Sequence, residues 1–468
     1  MTIKQHQSPH TIGRNFRLIA GILALAACAK PANATDVFRF EGFGAISRGM
    51  GGVATAYDTG LSGMMTNPAT LSLMETGSEI QLGFDFVSTD IEVKNKATGE
   101  HVSSDSHGNN RHPYFAPQIA YGRQIGSLTL GAGVFAQGGL GTEYGRDSFL
   151  SRASGNLDTE LGNSSRLLVL NIPLAASYKV SESLTLGAGV DATWQGLNLD
   201  LLLGADQVGS LMGAGRVSGS LVPVLGGLPD LRGAHFSLTR NSPIKSGVSA
   251  WGHTARVGMT YAFSEDTRVG VAYTAKSRVA DMEGRATLTA IDGVAGQIAL
   301  PGDITIRDFQ MPAVLNLGLS QRVSDKLDVA VDVSRVYWSD VMKDIKVGFV
   351  SDSGGDINIL LPQDYRDQTV LAVGAAYRAS DKWTLRGGFR IAQQALRGST
   401  LFAVVPAVPK KHVSLGAGYA FSERASLDFA WSHAFEEQMD NEGTPNTSAP
   451  IRVNHSQDNV TLVYSYRF

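Results

Sequence analysis

Tyr377-Arg-Ala-Ser-Asp-Lys-Trp-Thr-Leu-Arg-Gly-Gly-Phe-Arg-Ile391 is the stretch on which the fold turns. Ser380-Asp381-Lys382 is turn chemistry, because short polar side chains hydrogen-bond their own backbone where a chain reverses. Beyond it, Trp383, Leu385, Gly387, Phe389 and Ile391 alternate with a set containing Lys382, Arg386 and Arg390. A period of two is the signature of a strand with two unlike faces. The same punctuation occurs at Tyr178-Lys-Val-Ser-Glu-Ser-Leu184, Tyr261-Ala-Phe-Ser-Glu-Asp-Thr267, Gln321-Arg-Val-Ser-Asp-Lys-Leu327 and Tyr419-Ala-Phe-Ser-Glu-Arg-Ala425. A further tight turn lies at Gln124-Ile-Gly-Ser127. Each joins two alternating stretches, as a hairpin does.

Working outward from the turns predicts strands near 78–92, 114–124, 127–138, 166–180, 183–198, 249–263, 267–279, 309–323, 326–338, 367–379, 382–394, 411–421, 425–436 and 453–468. Long polar or glycine-rich connections separate the hairpins, near 139–165, 199–248, 280–308, 339–366, 395–410 and 437–452. Short turns on one rim and long loops on the other are the pattern of an outer-membrane barrel. The expectation is an all-β chain: a 14-stranded antiparallel transmembrane β-barrel over 77–468. A propeller would need a blade-length repeat, which the sequence lacks.

Composition agrees. Lys and Arg number 40 against 43 Asp and Glu in 468 residues, a net charge of -3 that offers no footprint for nucleic acid. Charged residues are 18% of the chain and glycines number 53, away from the composition of an average soluble enzyme. The longest apolar run, Leu18–Ala29, follows Lys4, Arg14 and Arg17 and leads to Ala32-Asn33-Ala34. That is the form of a signal peptide over 1–34, too short for a spanning helix. The only cysteine, Cys28, would leave with it, although Leu25-Ala26-Ala27-Cys28 also has the form of a lipoprotein processing site. A Gram-negative outer membrane is the implied destination.

Alternation also assigns faces. Leu327, Val329, Val331 and Val333 oppose Asp328 and Asp332, and Leu427, Phe429 and Trp431 oppose Asp428. A charge facing lipid at mid-bilayer costs about 2–4 kcal/mol, so the charged sets must face the lumen. The glycines Gly187, Gly189, Gly416 and Gly418 fall on that same side. The chain stops on Phe468, in phase with Tyr464, Tyr466 and Leu462.

Residues 35–76 are not strand-like. They are rich in small residues with scattered Phe and Met, which suits a segment packed inside the barrel. Within them Arg48-Gly49-Met50-Gly51-Gly52, then Asp58, then Asn67-Pro68-Ala69, resemble the amino-terminal hatch of the FadL family of outer-membrane transporters for long-chain fatty acids and other hydrophobic compounds. Gly139-Leu-Gly-Thr-Glu-Tyr144, Asp308-Phe-Gln-Met-Pro-Ala313, Val336-Tyr-Trp-Ser-Asp340 and Asp381–Gly388 resemble further stretches of that family in the same order. The hatch opening is more glycine-rich than in the fatty acid transporter, and Asp58 stands single where many relatives show paired acids.

The resemblance implies passive uptake with no enzyme activity and no cofactor. A hydrophobic ligand would be captured outside, pass the hatch and leave sideways at a kink in strand three. Gly138 and Gly139 suit such a kink, since glycine permits bulges. The aliphatic residues after strand five, Leu201, Leu202, Leu203, Leu211, Met212, Leu221, Val224 and Leu225, suggest an exposed capture loop. For a carboxylate ligand, Arg256, Arg386 and Arg390 are lumen candidates, with pairing to acids such as Asp191, Asp328 or Asp428 as the competing role. Long-chain fatty acids rank first as ligand, with aromatic hydrocarbons or alkanes next and a general porin or structural barrel last. Outer-membrane lipid and lipopolysaccharide would surround the barrel, and Phe468 resembles the terminal signal read by barrel-assembly machinery. No Gly-x-Ser-x-Gly elbow is present. His101, His107 and His112 sit among Asp105, Asn109, Asn110 and Arg111 and read as a solvated loop, so no metal site is expected.

Overall fold

The computed structural model describes residues 37–104, 114–238 and 247–468. The expected signal peptide 1–34 with Cys28, and His107 and His112, lie outside the described residues. β1 (Gly77–Asn95), β2 (Tyr114–Ile125), β3 (Leu128–Glu143), β4 (Ser164–Lys179) and β5 (Leu184–Gly204) run up and down in turn. β6 (Leu231–Ser237), β7 (Val248–Ala262), β8 (Thr267–Thr274), β9 (Met282–Asp292) and β10 (Gly296–Arg307) follow. Then come β11 (Val314–Ser324), β12 (Leu327–Val336), β13 (Asp344–Ser351), β14 (Asp356–Pro362) and β15 (Gln368–Arg378). β16 (Trp383–Ala392), β17 (Lys411–Ala420), β18 (Ala425–Asn441) and β19 (Ile451–Arg467) complete the order.

Antiparallel pairing passes from β1 through β2, β3, β4, β5, β7, β8, β11, β12, β15, β16, β17, β18 and β19. It then returns to β1, from Glu79↔Arg467 to Asn95↔Ile451, so the wall is closed and has no free edge. The recurrent serine of the short turns has a defined task. The Oγ atoms of Ser181, Ser264, Ser380 and Ser422 accept the N–H three residues on, from Leu184, Thr267, Trp383 and Ala425.

The closed ring itself passes through fourteen strands, and further strands lie outside it: segment 280–308, expected as a connection, folds as the β9–β10 hairpin. β6 lies between β5 and β9, β10 pairs with β13, and β13 with β14, all above the ring. Loops of this length over a lumen must satisfy their own backbone groups, and sheet extension does so. Boundaries shift as well: the strand expected from 309 starts at Val314, and β5 runs on to Gly204.

β2 shows the inverted logic of the wall. Phe115, Ile119 and Tyr121 are exposed on its outer face, while Ala116, Gln118 and Ala120 are buried inward. An apolar outer belt around a polar interior is stable only in lipid. Inside the ring lies a plug-like segment with helix α1 (Gly44–Gly49) and two 3₁₀ turns, Gly60–Met65 and Pro68–Leu73. It packs on lumen glycines as closely as backbone allows. A Cβ on Gly388 would lie 2.1 Å from the Gly51 nitrogen, and one on Gly187 would lie 2.2 Å from the Ala69 nitrogen.

Candidate functional site

The plug is held by polar anchors. Asp332 Oδ2 on β12 accepts the backbone N–H of Ala54 at 2.8 Å, that of Thr55 at 2.9 Å and the Thr55 hydroxyl at 2.7 Å. Asn67 accepts from Ala69 N–H with its side-chain oxygen and donates to the Thr55 and Met259 carbonyls, so Asn67-Pro68-Ala69 ties plug to wall. Arg48, fully buried, donates to the Gly42 carbonyl, lies 3.3 Å from Asp85 and sits over the Phe40 ring. Gly51 donates to Ser414, and its neighbour Gly52 has φ +93, a conformation suited to glycine. Gly49 packs on Gly416. Asp58 accepts from Gly60 N–H at the opposite, polar end of the lumen.

The wall opens beside the plug. β2 and β3 pair from Ile125↔Leu128 as far as Gln118↔Phe135, and among the described residues no pairing joins Tyr114–Pro117 to β3. β3 continues on β4 with a register shift between Ala136 and Gly138. That shift is a bulge inside the strand, which runs on past Gly138 and Gly139 to Glu143. Plug residues occupy the inner side of the opening. Phe40 N–H donates to the Gln137 carbonyl, Gly139 N–H to the Phe38 carbonyl, and Arg39 bridges to Gly138. A Cβ on Gly138 would lie 1.8 Å from the Phe38 oxygen, which requires glycine there.

A cavity of about 310 Å³ adjoins this opening. Its apolar lining includes Val87, Ile91, Phe115, Leu140, Leu167 and Ala407, and Arg39, Arg166, Arg390 and Gln457 supply polar edges. Sequence reasoning found Gly138, Gly139 and Arg390 but missed the apolar lining. These residues come from separate strands, and only the register of the ring brings them together. A second cavity of about 420 Å³ lies among the long loops, with Phe149, Leu150, Leu202 and Phe402 beside Ser154, Asp206 and Ser448.

The expected exposed capture loop needs correction. Leu201, Leu202 and Leu203 belong to β5, and Leu211, Leu221 and Leu225 belong to short helices; all six are buried. Only Met212 and Val224 are exposed. The aliphatic surface closes on itself because β6 and the helices fold back over the barrel mouth, while Leu201 and Leu202 also line the outer cavity. Arg256 and Arg386 are paired with lumen acids: Arg256 contacts Asp191 at 2.8 Å and Arg386 contacts Asp428 at 2.8 Å.

A closed, lipid-facing barrel with a plugged lumen and an apolar cavity at a breach in its wall defines an outer-membrane channel for hydrophobic solutes. Residues 23–468 match the family profile of the outer membrane protein transport proteins (OMPP1/FadL/TodX), and the chain belongs to that family. Its members are transport channels, not enzymes, and the protein resides in the outer membrane. The structure is similar to that of the P. putida toluene transporter TodX, with 41% identity, a TM-score of 0.82 and coverage of 92% of this chain and 99% of that one. It is similar also to the Ralstonia pickettii toluene transporter TbuX, at 46% identity and a TM-score of 0.78 over 92% and 99% of the two chains. The long-chain fatty acid transport protein of Escherichia coli is 22% identical over 86% of each chain.

Proposed function

We propose that the protein passively admits monoaromatic hydrocarbons, which enter the loop cavity, pass to the inner cavity and leave sideways between β2 and β3. The observation that carries this reading is the apolar cavity opening at the breach beside Gly138. At about 310 Å³, it exceeds the roughly 150 Å³ that holds a benzene ring in an engineered protein core. Exit through the wall delivers an apolar solute to lipid, whereas the lumen below the plug is lined by Asp58, Glu79, Arg268, Asp328, Arg378 and Asp428. Higher identity to the toluene transporters than to the fatty acid transport protein supports the aromatic class. Movement of residues 35–76 as a hatch, and reading of Phe468 by barrel-assembly machinery, belong to the same proposal.

Long-chain fatty acids are the second reading. Arg39, Arg166 and Arg390 at the inner cavity favour it, since each could face a carboxylate. The test expresses the chain in a Gram-negative host lacking its own fatty acid transporter, confirms a folded barrel by heat-modifiable gel mobility, and measures labelled toluene beside labelled oleate. Toluene uptake abolished by Gly138→Val is the expected result. Oleate uptake alone would establish the second reading, and movement of neither would refute both.

A further inference from the structure

On the outer face of the wall, away from the lumen, a polar row of side chains stands directly above the apolar belt. Val333 on β12, Leu371 on β15 and Ile391 on β16 are in register within that belt. Two residues farther toward the long loops, Arg335 stands opposite Thr369, and Gln393 lies beside Thr369, its N–H donating to the Thr369 carbonyl at 2.9 Å. Lys411 on β17 pairs with Ile391 and continues the row. Its height follows from the strands. Tyr377, beside a short turn, is eight residues from Thr369 along β15, and Tyr419 is eight from Lys411 along β17. At a rise of about 3.4 Å per residue and a tilt of about 40°, eight residues climb roughly 21 Å, close to the apolar band of about 25 Å of an outer-membrane barrel. The row therefore stands where acyl chains end and outer-leaflet head groups begin.

The Arg335 guanidinium is held along the wall. It donates to the Thr369 hydroxyl at 3.0 Å and to Gln393 Oε1 at 3.5 Å, and lies 3.3 Å from Asp367 Oδ2, yet its side chain stays 40% exposed. The other oxygen of Asp367 accepts the Ser339 N–H at 3.1 Å and hydroxyl at 2.7 Å. Lys411 is exposed and has no ion-pair partner among the described residues, whereas Lys410 is spent on Glu437, Lys346 on Asp308 and Arg452 on Asp440. β12 and β15 each stand seven strands from the breach, one by either way round the ring, so Arg335 and Thr369 are diametrically opposite it. At matching height on the breach side, β19 and β1 present Asp458 and Asp90 instead.

We propose that Arg335, Thr369, Gln393 and Lys411 form a docking shelf for a phosphate of lipid A, the phosphorylated sugar head of lipopolysaccharide. A fixed guanidinium meets phosphate through paired N–H bonds, and an ammonium on a flexible stem adds a second, adjustable charge. The Thr369 hydroxyl and the Gln393 amide suit sugar hydroxyls, and the apolar row below takes the acyl chains. Asp458 and Asp90 repel the same head group, so the glycolipid is seated at the back of the barrel and the breach opens away from it. The shelf does not depend on which solute the barrel carries.

The test is binding of bisphosphorylated lipid A, beside lipid A stripped of its phosphates, to the folded full-length barrel in a zwitterionic detergent, with a chelator present to prevent metal bridges. The parent should hold the phosphorylated form more tightly. Lys411→Gln should weaken that binding about fivefold and the double variant with Arg335→Gln about thirtyfold, as expected for one surface charge and for two. Lys94→Gln, which removes an exposed cation on β1 outside the shelf, should leave it unchanged. Equal affinity of the parent for the two lipids would overturn the shelf, as would equal losses in Lys411→Gln and Lys94→Gln. Displacement of the lipid by a modest excess of inorganic phosphate would mark a small-anion site and overturn lipid recognition. If the Arg335 variant does not yield a heat-modifiable barrel, position 411 decides alone: Lys411→Arg should retain binding, and a Lys411→Gln barrel as tight as the parent refutes the proposal.

Discussion

Replacing Asp332 by alanine should loosen the plug while leaving the wall intact. One carboxylate oxygen accepts two backbone N–H groups and one hydroxyl from Ala54 and Thr55, and all four groups are buried. A buried polar group left without its partner costs about 1–3 kcal/mol. Lumen water can reach part of the vacated space, so the lower end applies, about 3 kcal/mol for the three donors together. At about 1.4 kcal/mol per factor of ten, the released fraction of the plug should rise roughly a hundredfold. Strand pairing involves only the backbone of Asp332, opposite Gly318 and Ala372, so heat-modifiable mobility should persist. Asp332→Asn keeps an acceptor of lower charge and should fall between the two, since hydrogen bonds to charged groups are worth about 1.5–3 kcal/mol against about 0.5–1.5 for neutral ones. Single-channel recording in planar bilayers reads the outcome as brief ion-conducting openings, rare in the parent and about a hundred times more frequent in Asp332→Ala. A folded Asp332→Ala barrel as silent as the parent would refute the view that this carboxylate holds the plug.

Arg256→Ala should destabilise the folded barrel by about 3–5 kcal/mol, because it strands Asp191 as an unpaired buried charge. Denaturant unfolding in detergent checks this, and the double variant Arg256→Met with Asp191→Leu should recover much of the loss. His235, on the extracellular β6, is held below the ordinary imidazole pKa of 6.5 by burial, partly offset by its contact with the Gly162 carbonyl. Its neutral form is therefore the one the fold favours: the stabilisation is complete above about pH 6.5 and is lost as pH falls toward the depressed folded value. Protease nicking of the 205–230 segment should accelerate between pH 7.5 and pH 5, and His235→Gln should flatten that dependence.

The barrel was legible because its signals are local. Period-two alternation in 383–391 placed Trp383, Leu385 and Phe389 on the lipid face, and all three are exposed there. In four of the short turns the serine accepts an N–H three residues away, within reach of any reading of the sequence. The hairpins at 282–307 and 344–362 escaped because glycine and polar residues dilute their alternation; the sheet above the ring, not their composition, makes them strands. Burial of Leu203, Leu211 and Leu225 was hidden for a related reason, since aliphatic loop residues look the same whether they face solvent or fold under a neighbour.

Taken alone, the amino-acid order determined a membrane-facing β wall around an inserted amino-terminal segment, because periodicity and turn chemistry act over a few residues. Tertiary structure alone decided where that wall parts. The breach needs Tyr114–Pro117 and Ala136–Gly139 to lose each other while each keeps its other neighbour. The cavity needs Val87, Phe115, Leu167 and Ala407 to converge, and the aromatic cluster inside the barrel needs Phe38 to meet Phe309, Trp338 and Tyr365. Such meetings are set by the register of a closed ring and by what fills it, and no window of sequence contains both partners.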